Sequence, residues 1–439
     1  MYLLPATNCA IDGVGNLADL ATKLGVAADT RGGLNLSFHA GGGARLFLAS
    51  TEDTYKTFQL LGNEISFDVD VSNLPCGVNG ALYLVEMEAD GGKASYPENK
   101  AGAKYGTGYC DAQCPTDIHF IDGEANLVNP ATNLSFFGSC CAEMDLWEAN
   151  NMANALTPHP CHLDGPKRCE VGGDCGGLAS SRSASKLGLS AEEPPTADSP
   201  CDKAGCDFNP FRVGNTTFYG PGPSFAVDTT KPMTVTTQFL TSGAAGSGDL
   251  VEIRRFYKQG GQVIGNADAG PVWDHTGPDD SITDGMCERK SKYFGDEQNG
   301  FATHGGLKQM GEAMRRGMVL TLSVWDDQTA GMTWLDSTAP YPVPAWVRGA
   351  SRGACSQESG YAARKQHPNA YVLFSNIRYG EIGSTTGPSP PPPPAPPPKP
   401  SPCPGGSKAK CIATCDPANP AKYLQCVHDC GDHCPHDTV

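Results

Sequence analysis

The chain has 439 residues, of which 39% are hydrophobic and 18% charged, with 53 glycines, 36 prolines and a formal net charge of −16. This size allows one large domain and a small appendage, and the glycine and proline content favours a loop-rich β protein. The acidic balance argues against nucleic acid or an acidic membrane as a partner. Because no stretch is long and apolar enough to span a bilayer, we expect no membrane interaction either.

The cysteine content predicts the compartment. A chain of this size with 19 cysteines is typical of the oxidising secretory route. The cysteines are not spaced as metal-binding pairs and the histidines are scattered, so we expect no metal and no cofactor. Three N-x-S/T sequons agree with a secreted glycoprotein, at Asn35, Asn133 and Asn215.

Hydrophobic patterning predicts mostly strands. Helical patterns occur only near 17–25 and 306–316, and strand-like runs lie at 67–71, 80–87, 233–240, 318–325 and 370–377. In the run 318–325, apolar residues at even positions alternate with Val319, Thr321, Ser323 and Trp325, which is the pattern of a sheet with one buried face. We therefore predict an all-β sandwich of antiparallel sheets with long, disulfide-tied loops.

The composition changes near residue 384. Residues 388–402 read PSPPPPPAPPPKPSP, which predicts a stiff polyproline II spacer. The short remainder cannot build a core unaided, so its six cysteines predict three internal disulfides. We expect a catalytic domain at 1–383, a Pro-rich linker at 384–402 and a small Cys-rich module at 403–439.

Three carboxylates stand close together in the stretch 140–150, which reads CCAEMDLWEAN. Glu143 and Asp145 are two residues apart and share a face of a strand, whereas Glu148 would point to the opposite face of a regular strand. A single β-bulge between them would bring all three into one cleft. Paired carboxyls in a cleft are what retaining glycoside hydrolysis needs. The alternative is a solvated polar face on an edge strand.

The segment GSCCAEMDLWEAN, at 138–150, closely resembles the catalytic segment of glycoside hydrolase family 7, which comprises cellobiohydrolases and endoglucanases. The resemblance covers roughly residues 6–383, and further matching segments follow the family's order at 60–83, 104–126, 155–161, 214–222, 318–327 and 334–338. It implies a jelly-roll-like, concanavalin-like sandwich of two curved antiparallel sheets, with the substrate cleft on the concave face. It also implies that Glu143 is the nucleophile, Asp145 its supporting partner and Glu148 the acid/base, with His159 as the cleft histidine near the acid/base.

The same resemblance implies residues that line the cleft. Trp325 and Trp334 match two tryptophans on which glucose rings stack, although a tryptophan without this match is more often a core residue. The other matching positions are Arg45, Asn79, Tyr83, Tyr109, Asp111, Gln113, Asp117, Asp207 and Arg352. The implied disulfides are Cys76–Cys355, Cys110–Cys141, Cys114–Cys140, Cys161–Cys201, Cys169–Cys175 and Cys206–Cys287.

The lengths of two loop segments indicate whether cleavage is at chain ends or internal. The segment 161–206 is long and carries five cysteines, which resembles the cellobiohydrolase branch, whereas 127–139 is short, as in endoglucanases. We favour a monomeric reducing-end cellobiohydrolase acting on cellulose, with an endo-β-1,4-glucanase as the alternative. A lectin-like glucan binder and a structural wall glycoprotein are less favoured classes. The module at 403–439, whose one aromatic residue is Tyr423, is either a cellulose anchor or a protein-interaction knot.

The beginning of the chain raises a separate expectation. The implied pairs leave Cys9 without a partner, and no secretory leader precedes it. The family has an upstream stretch that bonds this cysteine and supplies a strand. We therefore expect that the natural protein is longer at its N-terminus.

Overall fold

Two antiparallel sheets form the framework of this protein in the computed structural model. The structure describes residues 25–28, 33–38, 43–51, 53–130, 134–176, 199–296, 299–340 and 342–386. The chain separates into two units, Met1–Gly387 and Pro388–Val439, and the second is entirely outside the described residues. The predictions for the Cys-rich module, Cys9, nearly all of the linker and nearly all of the helix near 17–25 therefore concern residues that the structure does not describe. At the predicted start of the linker, residues 384–386 are described, and the buried Thr385 donates its N–H and its hydroxyl to Glu64 Oε1, both at 2.7 Å, so these residues still belong to the domain.

The strands of the described residues are, in chain order, β1 (Val26–Ala28), β2 (Leu34–Ser37), β3 (Ala44–Phe47), β4 (Thr57–Phe58), β5 (Asn63–Asp70), β6 (Asn79–Val85), β7 (Phe120–Ile121), β8 (Glu124–Ala125), β9 (Val128–Asn129), β10 (Leu134–Ser135), β11 (Phe137–Cys140), β12 (Glu143–Ala149), β13 (Asn154–His159), β14 (Lys167–Glu170), β15 (Tyr219–Gly220), β16 (Val227–Asp228), β17 (Met233–Thr241), β18 (Leu250–Gln259), β19 (Gln262–Gly265), β20 (Ser281–Ile282), β21 (Met318–Trp325) and β22 (Tyr371–Glu381). All five predicted strand-like runs coincide with strands, namely β5, β6, β17, β21 and β22. The long strand β18, in the outer sheet, was not predicted.

The larger, outer sheet has the order β1-β2-β22-β5-β17-β18-β19, with β20 also paired to β18. The inner sheet has the order β13-β12-β6-β21-β3, with β4 also paired to β21. Both are antiparallel throughout. The all-β sandwich predicted from the sequence is thus confirmed.

The hydrophobic core lies between the two sheets. Phe67 of the outer sheet meets Trp147 of the inner sheet edge to face, with ring centroids 6.2 Å apart. On β21, Leu320 and Leu322 are buried in this core. Because successive side chains of a strand point to opposite faces, the residues between them lie on the other face of the inner sheet, which we call the cleft face.

Helices are few and lie between the strands. In the described residues they are α1 (Asp284–Phe294), α2 (Gly300–Thr303), α3 (Gly306–Arg316), α4 (Thr333–Asp336) and α5 (Ser359–Gln366), with short 3₁₀ turns at Lys104–Gly106, Ala244–Gly246 and Gly270–Trp273. The helix predicted at 306–316 is α3, whose Leu307, Met310 and Met314 are buried at the spacing of one helix face. The expectation that helices occur only there and near 17–25 was wrong, because short helices such as α1 are fixed by caps and packing. In α1, Thr283 Oγ1 accepts a hydrogen bond from the Met286 N–H at 3.0 Å.

Six disulfides tie the loops to this framework among the described residues. They join the same cysteines that the family resemblance implies, namely Cys76–Cys355, Cys110–Cys141, Cys114–Cys140, Cys161–Cys201, Cys169–Cys175 and Cys206–Cys287. Three of them involve the segment between Cys161 and Cys206. In the described part of the chain, the helices are all too short or too polar to cross a membrane.

Candidate active site

A bulge in β12 places three carboxylates on the cleft face. Asp145 pairs with Tyr83 of β6, but Trp147 pairs with the next residue, Leu82, so that Leu146 is the extra residue. The register with β13 shifts over the same stretch. Leu146 and Trp147 consequently both enter the core, and Glu148 returns to the face occupied by Glu143 and Asp145. This is the bulge that the spacing predicted.

Glu143, Asp145 and His159 form one hydrogen-bonded group. Glu143 Oε2 accepts the Ala112 N–H at 3.0 Å, and Asp145 Oδ2 lies 3.0 Å from His159 Nε2. The other ring nitrogen, Nδ1, is 2.8 Å from the carbonyl oxygen of Asp202. Because a carbonyl only accepts, Nδ1 carries a proton and Nε2 faces Asp145. The structure thus sets His159 directly against the supporting carboxylate.

The electrostatics of this group favour a shared proton. Burial raises the pKa of Glu143 well above its ordinary value, and the charges of Asp145 and Asp111 raise it further. Burial and then the charge of Glu148 raise the pKa of Asp145, while a hydrogen bond with Glu143 acts in the opposite direction. Two buried acids in contact cannot both ionise cheaply, so Glu143 and Asp145 favour holding one proton between them.

These three side chains are also close enough to hold a metal ion. Their ligand atoms lie within 4.8 Å of one another. In each of them, however, an oxygen or nitrogen atom has a protein partner. Hydrogen bonds within the protein therefore already engage all three side chains.

Glu148 is held separately, by Asn79 at the start of β6. Asn79 Nδ2 donates to Glu148 Oε1 at 2.9 Å, and its Oδ1 accepts the Ala149 N–H at 3.0 Å. Burial raises the pKa of Glu148 to about 7, although His159 and the Asn79 hydrogen bond lower it. Glu148 is therefore a carboxylic acid that keeps its proton in mildly acidic solution, whereas Glu143 has a neighbour that can stabilise its anion.

A tyrosine-rich group flanks Glu143 on the cleft face. The hydroxyls of Tyr83 and Tyr109 are 2.9 Å apart, and Tyr109 donates to Asp111 Oδ2 at 2.6 Å. The Arg45 guanidinium lies over the Tyr109 ring, 3.8 Å from its centroid. Asp117 is exposed nearby. These hydroxyl and charged groups suit the hydroxyls of a sugar.

Gln113 lies at the edge of this group. Its Nε2 donates to the carbonyl oxygen of Lys203 at 2.8 Å, and its backbone N–H donates to Asp111 Oδ1 at 2.8 Å. The contact with Lys203 joins the loop after Tyr109 to the disulfide-rich segment. The structure thus brings Gln113 to the cleft face at a junction of two loops.

Asp207 is surrounded by three cations. Lys290 Nζ is 2.7 Å from Asp207 Oδ1, Arg352 is 3.4 Å from Oδ2, and Arg212 pairs with Oδ1. Burial favours the neutral acid, but Arg212, Lys290 and Arg352 together hold the pKa of Asp207 well below its usual range. We call these four residues the Asp207 cluster. The charge of Asp207 also raises the pKa of Glu148, which places the cluster close to that carboxyl.

Trp325 and Trp334 are brought together beside these residues. Their ring centroids are 5.9 Å apart with planes inclined by 30°, and Trp334 Nε1 donates to Asp327 Oδ2 at 3.0 Å. Trp325 ends β21 opposite Asn79 of β6. Both rings are only partly buried. They retain aromatic surface at the cleft face, where a pyranose ring can stack.

Several partners of the site were not predicted from the sequence. Arg212 and Lys290 complete the Asp207 cluster, the Ala112 N–H binds Glu143, and the Asp202 carbonyl orients His159. Arg212 follows Asp207 by five residues, so proximity was a usable signal for it. Lys290 stands on α1, 83 residues from Asp207, and nothing local in the sequence indicates that contact.

Comparison with known proteins identifies relatives over most of this chain. The family model described as glycosyl hydrolase family 7 matches residues 5–386. A cellobiohydrolase of this family from Daphnia pulex is 44% identical with a TM-score of 0.76, and the match covers 86% of this chain and 84% of that one. A cellobiohydrolase from Melanocarpus albomyces, complexed with cellotetraose, is 38% identical with a TM-score of 0.69, over 82% of this chain and 80% of that one. The Humicola insolens endocellulase EGI is 37% identical with a TM-score of 0.65, over 83% and 80%. The similar structures thus include both cellobiohydrolases and an endocellulase.

Proposed function

The chain belongs to glycosyl hydrolase family 7, and on that basis we propose that it hydrolyses the β-1,4-glucosidic bonds of cellulose with retention of configuration. The observation that carries the proposal is the bulge at Leu146, because it turns Glu148 to the face that holds Glu143 and Asp145. Two carboxyls with different environments on one face can divide the roles of nucleophile and acid.

The proposed first step forms a glycosyl-enzyme. The carboxylate of Glu143 attacks the anomeric carbon, the bond to the leaving oxygen breaks, and Glu148 gives its proton to that oxygen. The Ala112 N–H, which donates to Glu143 Oε2, stabilises Glu143 as the anion, and Asp145 is its proton-sharing partner. The raised pKa of Glu148, about 7, keeps it protonated for this step.

In the second step Glu148 acts as the base. Once Glu143 is esterified it no longer carries a charge, so its repulsion of an ionised Glu148 disappears. Glu148 then removes a proton from water, whose oxygen attacks the anomeric carbon and releases Glu143. Two inversions give net retention, so NMR of the first hydrolysis product should show the β anomer before mutarotation. An α anomer would disprove the retaining mechanism.

The substrate follows from the chemistry of the cleft face. Trp325 and Trp334 supply apolar ring surface, and the group around Tyr109 supplies hydroxyl and charged partners. This combination suits a neutral polymer whose rings have apolar faces and polar rims. A non-catalytic, lectin-like glucan binder is the competing function. Release of reducing sugar from phosphoric-acid-swollen cellulose separates the two.

We further propose action mainly as a reducing-end cellobiohydrolase. The support is the segment 161–206, whose ends are fastened by Cys161–Cys201 and Cys206–Cys287. Such a fastened loop beside the catalytic residues favours a roofed cleft and release of cellobiose. The short segment 127–139 favours the endoglucanase alternative. Cellobiose as the main product, with slow viscosity loss of carboxymethylcellulose, would support the exo mode, and rapid viscosity loss with few new ends would reject it.

The proposal also covers the location of the protein and its oligomeric state. Six disulfides among the described residues are formed in oxidising compartments, which supports secretion. We propose an extracellular monomer that meets cellulose outside the cell. Recovery of activity in the medium, and sedimentation at the mass of one chain, test the two statements.

A further inference from the structure

One tryptophan is almost fully exposed, away from the core and from the two cleft tryptophans. Trp346 has 86% of its surface accessible. It lies in the loop between Thr338 and Ser351, and all of its neighbours at 342–347 are proline, valine or alanine. Most of these neighbours are exposed too. The next residue, Arg348, is the one charged group of the loop, and its guanidinium lies over the Tyr293 ring, 4.8 Å from the centroid. An apolar loop tip with a solvent-exposed indole is a candidate binding surface.

Hydrogen bonds join the described residues of the loop that carries Trp346. Thr338 and Ser351 pair at its base, and the Ala339 N–H donates to the carbonyl of Ala350 at 2.9 Å. Two turns follow within it, because the Val347 N–H binds the carbonyl of Pro344 at 3.0 Å and the Ala350 N–H binds that of Val347 at 3.1 Å. A ring presented by a fixed backbone loses little entropy on binding a ligand.

The base of the loop is joined to the cleft. Arg212 Nε donates to the carbonyl of Gly349 at 3.0 Å, and Arg212 also pairs with Asp207. Arg352, which follows the loop directly, contacts Asp207 as well. Trp346 precedes Gly349 by three residues, so their Cα atoms are at most roughly 11 Å apart. Trp346 is therefore carried by a loop whose base is bonded to the Asp207 cluster, although Trp346 is not a member of that cluster.

We propose that Trp346 is a glucan-binding residue outside the cleft, which stacks on a pyranose ring of a cellulose chain near the Asp207 cluster. The inference rests on the proposed function, because the occupant is the cleft's own substrate. Aromatic rings bind the apolar faces of β-linked glucose, and a mostly apolar loop tip suits a neutral polymer.

A second copy of this chain is the other conceivable occupant of the patch. Two chains that each carry a net charge of −16 repel one another. The loop has a single cationic residue, Arg348, which does not offset that repulsion. The neutral, abundant glucan chain is the better match for the surface.

The test compares Trp346→Ala, Trp346→Phe and a matched control, Val263→Ala, in the full chain. Val263 is also an exposed apolar residue, with 69% of its surface accessible, but it lies on β19 of the outer sheet. Adsorption to microcrystalline cellulose and the initial rate of cellobiose release from it are measured for each. Hydrolysis of a soluble aryl β-cellobioside and the sedimentation coefficient are measured in parallel.

We expect Trp346→Ala to weaken adsorption and the crystalline rate by roughly five- to tenfold, with a far smaller effect on the soluble substrate, because one stacking contact is lost. Trp346→Phe should recover most of the loss, and Val263→Ala should match wild type. Equal losses on both substrates, no loss at all, or a wild-type dimer that Trp346→Ala dissociates would each overturn the inference. Failure of the wild type to hydrolyse cellulose would instead refute the proposed function. The adsorption comparison would still test whether Trp346 binds cellulose.

Discussion

Asn79 and Glu148 are joined by a hydrogen bond of 2.9 Å that crosses from β6 to β12 beside the bulge. The orientation of the Asn79 amide is not free, because its oxygen accepts the Ala149 N–H at 3.0 Å. The amide nitrogen therefore always faces Glu148. This contact fixes the position of the Glu148 carboxyl, the proposed acid/base, and partly offsets the effect of burial on its pKa.

We predict that Asn79→Ala moves the alkaline limb of the pH–rate profile upward. The lost hydrogen bond favours the ionised form, so the pKa of Glu148 should rise above about 7 and the acid should stay protonated to higher pH. Misplacement of Glu148 should also lower kcat by roughly 10- to 100-fold. The measurement is kcat/KM against pH on a soluble aryl cellobioside. Asn73→Ala, which removes an exposed asparagine, is the control, and an unmoved or lowered limb in Asn79→Ala would contradict the assignment.

We predict that Asp145→Asn moves the acidic limb in the opposite direction. The charge of Asp145 is the main contribution after burial to the raised pKa of Glu143. Its removal lowers that pKa, so the nucleophile is ionised at lower pH and the acidic limb shifts down. The maximal rate should fall, because the proton-sharing partner and its contact with His159 are altered. Asp249→Asn, at an exposed site, should leave the limb in place, and a limb that stays fixed in Asp145→Asn would count against this coupling.

We predict that Glu143→Gln and Glu148→Gln both abolish cellulose hydrolysis but differ with an activated leaving group. An activated aryl cellobioside needs little protonation, so Glu148→Gln should still form the glycosyl-enzyme and release a burst of phenol. Glu143→Gln lacks the nucleophile and should give no burst. Stopped-flow absorbance and mass spectrometry of the quenched protein measure these outcomes. A burst from Glu143→Gln would reverse the assigned roles.

We predict a pH-dependent change in stability from Asp336, which ends α4. Its Oδ2 accepts the Gly77 N–H at 2.8 Å and Asn150 Nδ2 at 2.6 Å, and burial raises its pKa from 3.8 to about 6. The folded state therefore binds more protons than the unfolded state between about pH 4 and pH 6, and the free energy of unfolding falls as pH rises through that window. A shift of this size corresponds to roughly 3 kcal/mol.

The variant Asp336→Asn tests this by removing the titrating group. Between pH 4 and pH 7, the free energy of unfolding of the wild type should fall by roughly 3 kcal/mol more than that of Asp336→Asn. Urea unfolding at pH 4 and pH 7 measures the free energy of unfolding of each variant. Asp249→Asn should show the same pH dependence as the wild type. The same pH dependence in Asp336→Asn and wild type would show that Asp336 does not titrate in this range.

The positions of the strands, and the sheet face to which each side chain points, could be predicted because they depend on the alternation of apolar and polar residues along the chain. The alternation in 318–325 correctly assigned Leu320 and Leu322 to the core and Thr321 to the cleft face. The spacing of Glu143, Asp145 and Glu148 required a bulge, since period-two geometry leaves no other way to share a face. The roles of these carboxylates and the disulfide pairs came from family resemblance, not from spacing.

The sequence by itself therefore determined the strand pattern of the sandwich and the three acids of β12, since each of these features depends on a few neighbouring residues. Only the tertiary structure decided which distant groups meet them: Lys290 with Asp207, Asp202 with His159, and the Trp346 loop with Arg212. Such contacts join segments tens of residues apart, and the free energy that selects them comes from packing of the whole domain. The pKa values of the buried acids depend on the same burial, which no local pattern encodes.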